Sequence, residues 1–146
     1  MNKLYEAIPS LSDYHIAFMM LAIISLITLI QNFLTAPLSF IKEEQEPGMP
    51  LRFDHTKLSF RALRTYHNSA ETLPALGFSL LAAVIFGANP FWVNILTGVY
   101  LFFRLSFWFV YYSGIGKVAG GPRTWAFVGG LLSNIALVVM AIYAAF

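Results

Sequence analysis

The chain contains long stretches without a single formally charged side chain. Residues 14–41 carry none, and a second stretch of 32 residues, 72–103, carries none either. A membrane-spanning helix needs about 20 predominantly apolar residues, so each stretch is long enough to cross a bilayer. Only 11% of the residues are charged and 58% are hydrophobic. Soluble domains average about 25% charged and about 45–50% apolar residues. The sequence therefore predicts a small integral membrane protein.

The charge-free stretches divide into four predicted spans. Residues 72–103 would form a helix of about 48 Å, which is too long for one crossing. The segment Gly87-Ala88-Asn89-Pro90 interrupts it, because Gly and Pro punctuate helices. The spans are expected at about 14–41, 61–86, 91–113 and 123–146, with a glycine-rich connector at 114–121. This pattern predicts one all-α domain, 1–146, folded as an integral membrane four-helix bundle.

The distribution of lysine and arginine predicts the orientation of the bundle. The N-terminal segment has only Lys3, and the loop between spans 2 and 3 has no charge. The other two loops carry most of the remaining cations, namely Lys42, Arg52, Lys57, Lys117 and Arg123. The positive-inside rule therefore places loops 1–2 and 3–4 in the cytoplasm. The small size and the lack of trafficking signals favour a bacterial inner membrane.

Span 2 must begin within a polar segment to reach across the bilayer. That segment contains Arg61, Arg64, Asn68 and Glu71, spaced by three, four and three residues. At about 100° per residue the four side chains fall within an arc of about 80° on one helix face. One interpretation is a solvated helix end with intrahelical ion pairs. The other is a functional site, because ionisable groups within a membrane usually mark one.

The depth of Glu71 and Arg104 favours the functional interpretation. Both lie about 20 Å below the outer surface on neighbouring spans, where an isolated charge costs at least about 2.5–3.5 kcal/mol. A Glu71–Arg104 ion pair is therefore expected. Tyr111 follows Arg104 by seven residues and shares its face, although Tyr111 also suits an interfacial aromatic belt.

Arg123 follows Pro122 at the predicted start of span 4. It is either a snorkelling, positive-inside arginine or part of an anion site with the free N–H groups of the helix start. Thr124 adds a hydroxyl there. The chain has no cysteine, and its three histidines lack metal-ligand spacing, so neither a protein thiol nor a metal site is expected. The converging arginines and Glu71 suit a small polyanion that carries one amine.

Residues 60–74 resemble the R-x-x-R-x-x-x-N-x-x-E signature of the MAPEG family, the membrane-associated proteins in eicosanoid and glutathione metabolism. The resemblance continues through residues 87–90, through Arg104 and Tyr111, and through Pro122-Arg123-Thr124. It implies a homotrimer with glutathione bound between subunits on the cytoplasmic side. The family pattern assigns glutathione binding to a set of six residues: Arg61, Arg64, Asn68, Glu71, Arg104 and Tyr111. It assigns thiolate stabilisation to Arg123, with Thr124 where some members have serine.

The sequence departs from that pattern in three places. Lys42 is the only cation near the inner end of span 1, where family enzymes usually carry an arginine. Phe107 stands where prostaglandin E synthase-like members have histidine and leukotriene C synthase-like members have tyrosine. The stretch from Tyr111 to Arg123 is also longer than in those enzymes.

The resemblance implies a membrane glutathione transferase or peroxidase that acts on lipophilic electrophiles or hydroperoxides. A cation and a helix N-terminus lower the pKa of a thiol, so Arg123 would hold glutathione as the thiolate while Tyr111 or Thr124 donates a hydrogen bond. Two alternatives remain open at this point. One is a non-catalytic member that binds lipid or glutathione, and the other is a small four-span multidrug exporter.

Overall fold

The computed structural model describes residues 9–42, 54–116 and 120–146, which form four long α-helices and, within those ranges, no β-strand. A short 3-10 helix, Pro9–Tyr14, leads into α1, His15–Lys42. The other helices are α2, Leu58–Ile85, α3, Pro90–Tyr112, and α4, Pro122–Ala144. Each is long and apolar enough to cross a membrane. The prediction of an all-α bundle with four spans is confirmed.

The connection between α2 and α3 illustrates how local chemistry ends and restarts a helix. Gly87 has a φ of 72°, a left-handed conformation that glycine adopts without steric cost. Asn89 caps α3, because its side-chain oxygen accepts a hydrogen bond from the Phe91 N–H at 3.0 Å. Pro90 occupies the first helical position, where a missing N–H costs nothing. Four residues therefore reverse the chain.

Contacts between helix ends establish the antiparallel arrangement. The Tyr14 hydroxyl donates to the Ala88 carbonyl, and the Ala17 N–H donates to the Asn94 side-chain oxygen at 2.9 Å. The starts of α1 and α3 therefore lie together with the α2–α3 connection, and we call this the packed end. The opposite end, where α2 and α4 begin, is the cavity end. Helices α2 and α3 separate α1 from α4.

The core of the packed end is mainly apolar, and the hydroxyl groups of Thr97 and Tyr100 are among the few polar groups buried in it. It brings together fully buried side chains from all four helices, including Ala17, Ile24, Leu76, Leu80, Val93, Tyr100 and Leu137. The outside of the bundle is also apolar, with Phe33, Phe78, Phe109 and Trp125 largely exposed. Lipid is the solvent that such a surface requires, since exposed patches of this size are not tolerated in water. The protein is therefore an integral, multi-pass membrane protein.

Some residues used above to predict orientation lie outside the described part of the chain. Lys3, Arg52 and Lys117 are among them. Lys42 is the last residue of α1, and the position of its side chain lies outside the description as well.

Candidate functional site

A cavity of about 450 Å³ opens at the cavity end, within the range of about 300–1,000 Å³ that small-molecule sites occupy. Three helices and the segment before α2 contribute to its wall, and α1 does not. The polar lining residues are His55, Arg64, Asn68, Tyr111, Arg123 and Thr124, and the apolar ones are Phe60, Phe107 and Phe127. The charged groups in this wall are arginines, so the cavity suits an anion.

Arg123 is the most unusual group in the cavity wall. It is only 5% exposed although it carries a charge. Its Nε donates to the Ile115 carbonyl at 3.3 Å, and its guanidinium carbon lies 4.7 Å from the centre of the Tyr111 ring, a cation–π distance. Its Nη1 is buried and has no hydrogen-bond partner in the described structure. A buried guanidinium with an unused donor can bind a negatively charged ligand. The other buried arginine nitrogens without a partner, Nε of Arg61 and Nε of Arg104, belong to residues outside the cavity wall.

Pro122 and Gly121 explain why Arg123 stands at this point. Gly121 is the N-cap of α4 and Pro122 follows at the first helical position, so Arg123 lies in the first turn, where backbone N–H groups lack helical partners. The Thr124 hydroxyl oxygen accepts from the Gly120 N–H at 3.1 Å, which leaves its own hydrogen available. This turn therefore presents a cation and a hydroxyl donor to the same cavity.

Arg104 is buried behind the wall of the cavity rather than in it. It is 3% exposed, and its two terminal nitrogens donate to Asn68 Oδ1 and, at 2.6 Å, to Thr72 Oγ1. A third, longer bond of 3.2 Å reaches the Tyr100 hydroxyl. These neutral oxygens hold the charge, and Asn68 in turn lines the cavity. Arg104 therefore fixes the orientation of the Asn68 amide.

The expected Glu71–Arg104 ion pair is wrong for the described chain. Glu71 is exposed on the outside of the bundle, whereas Arg104 is occupied by Asn68, Thr72 and Tyr100. The prediction used the common depth of the two residues, and depth does not determine which face of α2 meets α3. Thr72 follows Glu71 by one residue, about 100° around the helix, and it is Thr72 that faces Arg104.

Arg61 also lies outside the cavity wall. Its Nη1 donates to the carbonyls of His55, at 2.9 Å, and Thr56, at 2.7 Å. Its Nη2 reaches the Tyr112 carbonyl at 3.3 Å. Arg61 thus joins the segment that precedes α2 to the end of α3, where a helix leaves carbonyls without internal partners. It supports the site from behind.

The predicted site residues therefore separate into two groups. Arg64, Asn68, Tyr111, Arg123 and Thr124 line one cavity, although they come from three helices. Arg61 and Arg104 stand behind that cavity, and Glu71 lies on the exposed face of α2. Arg64 is exposed too, so two of the three charged residues of the motif on α2, Arg64 and Glu71, reach the surface of the subunit.

His55 is the polar lining residue that the sequence analysis missed. It lies in the segment before α2, and its Nδ1 is 3.3 Å from the Tyr111 hydroxyl. Burial lowers the pKa of His55 below its ordinary value of 6.5, and the charges of Arg123 and Arg64 lower it further. Helical periodicity cannot identify a functional residue in a connection such as the one that contains His55. Its hydrogen-bond partner, Tyr111, follows 56 residues later in the sequence.

No group of three or more His, Asp or Glu side chains within residues 9–42, 54–116 and 120–146 could hold a metal ion. The side chains of the cavity wall themselves offer several kinds of chemistry. Arginines can bind and stabilise an anion, hydroxyl groups can donate hydrogen bonds to it, and a neutral imidazole can accept a proton. The phenylalanine rings of the wall provide an apolar surface for a second, lipophilic molecule.

Two comparisons with known proteins concern the family to which the chain belongs. No curated protein matches the chain. The MAPEG family matches it over residues 14–143, which include all four helices nearly to the end of α4. Every residue of the cavity wall lies within the matched range, as do Arg61 and Arg104 behind it. Since the match covers most of its length, this chain belongs to the MAPEG family.

Proposed function

We propose that this protein is a membrane glutathione transferase that activates glutathione as a thiolate and accepts hydroperoxides as a second substrate class. The observation that carries the proposal is the buried Arg123 guanidinium, whose Nη1 has no partner in the described structure. The MAPEG family is associated with glutathione, and it includes glutathione transferases as well as members without enzymatic activity. The multidrug exporter that the sequence left open has no support in this family match.

The charges of the cavity suit glutathione, which carries two carboxylates and one ammonium group. Arg64 and Asn68 would bind its carboxylates, and Arg123 would hold the sulfur. A free thiol has a pKa of about 8.5, and a neighbouring arginine at a helix N-terminus lowers it. The electrostatic stabilisation by Arg123 would persist as the thiolate attacks an electrophilic carbon and the leaving group departs with its electron pair.

Tyr111 and Thr124 would supply the hydrogen bonds to sulfur. The Tyr111 ring packs under the Arg123 guanidinium and its hydroxyl lies in the cavity wall. The electrophile would enter from the bilayer and lie against Phe107 and Phe127, whose ring centres are 6.2 Å apart. A phenylalanine at 107 gives this wall no polar group with which to recognise a substrate. The proposed substrates are therefore lipophilic and recognised by their reactive group.

Glu71 and Arg64 support assembly into the homotrimer that the sequence resemblance implies. Both side chains are exposed on α2, one heptad apart, and Glu71 lies about 21 Å from the far end of that helix, within the hydrocarbon region. An ionised carboxylate there requires a partner, and a neighbouring subunit would supply it. In such an assembly Glu71 would be available to the ammonium group of glutathione.

The orientation that we propose places the cavity end in the cytoplasm. Lys57, Arg61, Arg64 and Arg123 all belong to that end, in agreement with the positive-inside rule. Glutathione would then reach the site directly from the cytoplasmic pool. A bacterial inner membrane is the location that we favour.

Calorimetric titration of the detergent-purified protein with glutathione, followed by a conjugation assay with a chlorodinitrobenzene-type electrophile, tests the proposal. We expect Arg123→Ala to lower kcat/KM for glutathione by about 10²-fold or more, as the loss of one stabilising donor does elsewhere. Lys57→Ala is the matched control, because Lys57 is an exposed cation of the same end that does not line the cavity. It should leave kcat/KM unchanged.

The possible outcomes separate the alternatives. Binding with turnover that disappears in Arg123→Ala supports the transferase. Binding without turnover for any electrophile or hydroperoxide would instead indicate a non-catalytic member that binds glutathione. Absence of binding at millimolar glutathione would contradict the proposal altogether.

A further inference from the structure

His55 is held in the cavity by contacts on three sides. Its carbonyl accepts a hydrogen bond from Arg61 Nη1 at 2.9 Å. Its ring meets the ring of Phe60 edge to face, with centres 4.9 Å apart, and its Nδ1 lies 3.3 Å from the Tyr111 hydroxyl. A histidine that merely filled space would not need three separate contacts from α2 and α3. The imidazole is therefore positioned beside the same Tyr111 ring that Arg123 covers.

The groups around His55 decide its charge. Arg61 and Arg64 approach it from α2, Arg123 from α4, and Asp54 from its own segment, while the Tyr111 hydroxyl approaches from α3. Burial and the three cations disfavour the imidazolium, and Asp54 alone favours it. The net effect lowers the pKa of His55, so the ring is neutral at pH 7. A neutral imidazole is a proton acceptor.

We propose that His55 accepts the thiol proton of the bound ligand while Arg123 holds the resulting thiolate. This inference rests on the proposed function and adds to it the destination of the proton. The S–H bond breaks, the sulfur keeps the electron pair, and a new N–H bond forms on the imidazole. His55 precedes the spanning segment of α2, so the imidazolium can release the proton to water and return to its neutral form.

The proposal requires one of the two tautomers of His55 that the contact with Tyr111 permits. In the neutral tautomer with hydrogen on Nδ1, His55 donates to the Tyr111 oxygen, and Nε2 is the acceptor. Nε2 makes no hydrogen bond with any residue of the described chain. The same tautomer leaves the hydrogen of the Tyr111 hydroxyl free to point at sulfur. One arrangement thus provides both a proton acceptor and a hydrogen-bond donor for the thiolate.

The test is the rate of thiolate formation after rapid mixing of the full-length protein with glutathione, followed by the ultraviolet absorbance of the thiolate across a range of pH. His55→Asn places an amide where Nδ1 stood, so the bond to Tyr111 persists while the base is lost. We expect thiolate formation to slow by about 10²-fold. The acid limb of the pH profile should disappear as well. His67→Asn is the control, since His67 does not line the cavity.

Four results would overturn the inference, and they are distinguishable. If His55→Asn forms thiolate as fast as the unaltered protein, His55 is not the acceptor and the proposed function stands. If formation slows while the acid limb stays at the same pH, His55 only positions Tyr111. If the unaltered protein forms no thiolate at any pH, the proposed function itself fails. A comparable loss in His67→Asn would show that the effect is not specific to this site.

Discussion

The two ends of the bundle are built from the same four helices but differ in whether their polar groups have hydrogen-bond partners. At the packed end, hydroxyl and amide groups find partners within the chain, as Tyr14 does with Ala88 and Asn94 with Ala17. At the cavity end, the Arg123 guanidinium keeps a buried donor without a partner in the described structure. The cavity end therefore offers an unpaired donor to its cavity, as the proposed function requires.

The boundary between the two regions is the hydrogen-bond cluster around Arg104. Thr72, Tyr100 and Asn68 hold this guanidinium, and of these only Asn68 lines the cavity. The cluster therefore connects a structural interior to the ligand site. Substitutions on either side of it should affect different measurements, stability on one side and ligand binding on the other.

Replacing Thr72 by the isosteric valine should have the largest effect on stability. It removes an oxygen that accepts from Arg104 at 2.6 Å and pairs with the Tyr100 hydroxyl at 2.8 Å. A hydrogen bond to a charged group contributes about 1.5–3 kcal/mol, and we expect Thr72→Val to lower the free energy of unfolding in detergent by that amount.

Thr97→Val at the packed end is the matched control for this experiment. Thr97 is fully buried and Thr72 only partly, but the Thr97 hydroxyl donates only to the Val93 carbonyl of its own helix. The same loss of one oxygen should therefore cost less, about 0.5–1.5 kcal/mol at most. Equal losses in the two variants would show that the Arg104 cluster contributes no special stability.

Helices α3 and α4 pack against each other between the two ends of the bundle. Gly129 on α4 determines how closely the two helices approach. A Cβ at Gly129 would lie 2.5 Å from the Phe103 ring. Gly129→Ala should therefore force the ring to move and cost about 1–3 kcal/mol, as measured by thermal unfolding in detergent.

Gly77→Ala provides the opposite control, because nothing lies within 4 Å of a Cβ at that position. There the higher helix propensity of alanine should stabilise α2 by up to about 1 kcal/mol. If Gly129→Ala proved as harmless as Gly77→Ala, the α3–α4 contact would be looser than the structure indicates.

Most of the fold could be predicted from the sequence, because the signals for it are local. A run without charge predicts a span, and Gly87 with Pro90 predicts where one span ends and the next begins. Periodicity on α2 also brought Arg64 and Asn68 to one face, and both line the cavity. These features depend on residues a few positions apart.

The remaining features of the site depend on how helices face one another, which periodicity does not encode. Arg104 meets Thr72 instead of Glu71 because a rotation of α2 by one residue decides the partner. His55 and Tyr111 meet only after α2 and α3 have packed. A histidine in a polar connection looks like any solvated residue until then.

The smallest predicted effect concerns Asp54, the carboxylate that opposes the arginines around His55. Asp54 accepts hydrogen bonds from the Thr56 N–H, at 2.9 Å, and from the Thr56 hydroxyl, and these bonds lower the pKa of Asp54. Asp54 is therefore fully ionised above its ordinary pKa of 3.8, and its hydrogen bonds then stabilise the turn. This stabilisation is lost only when the pH falls through the lower pKa of the folded protein.

Asp54→Asn separates the charge of this residue from its role in the turn. The asparagine keeps an oxygen for the Thr56 N–H but removes the negative charge that favours the His55 imidazolium. The pKa of His55 should fall further, so the acid limb of thiolate formation should move to lower pH. Because Asp54 is exposed, the shift should amount to a few tenths of a pH unit and should shrink with added salt. A shift to higher pH would contradict the assignment of that limb to His55. The Asp54 charge stabilises the His55 imidazolium, so its removal can only lower the pKa of His55.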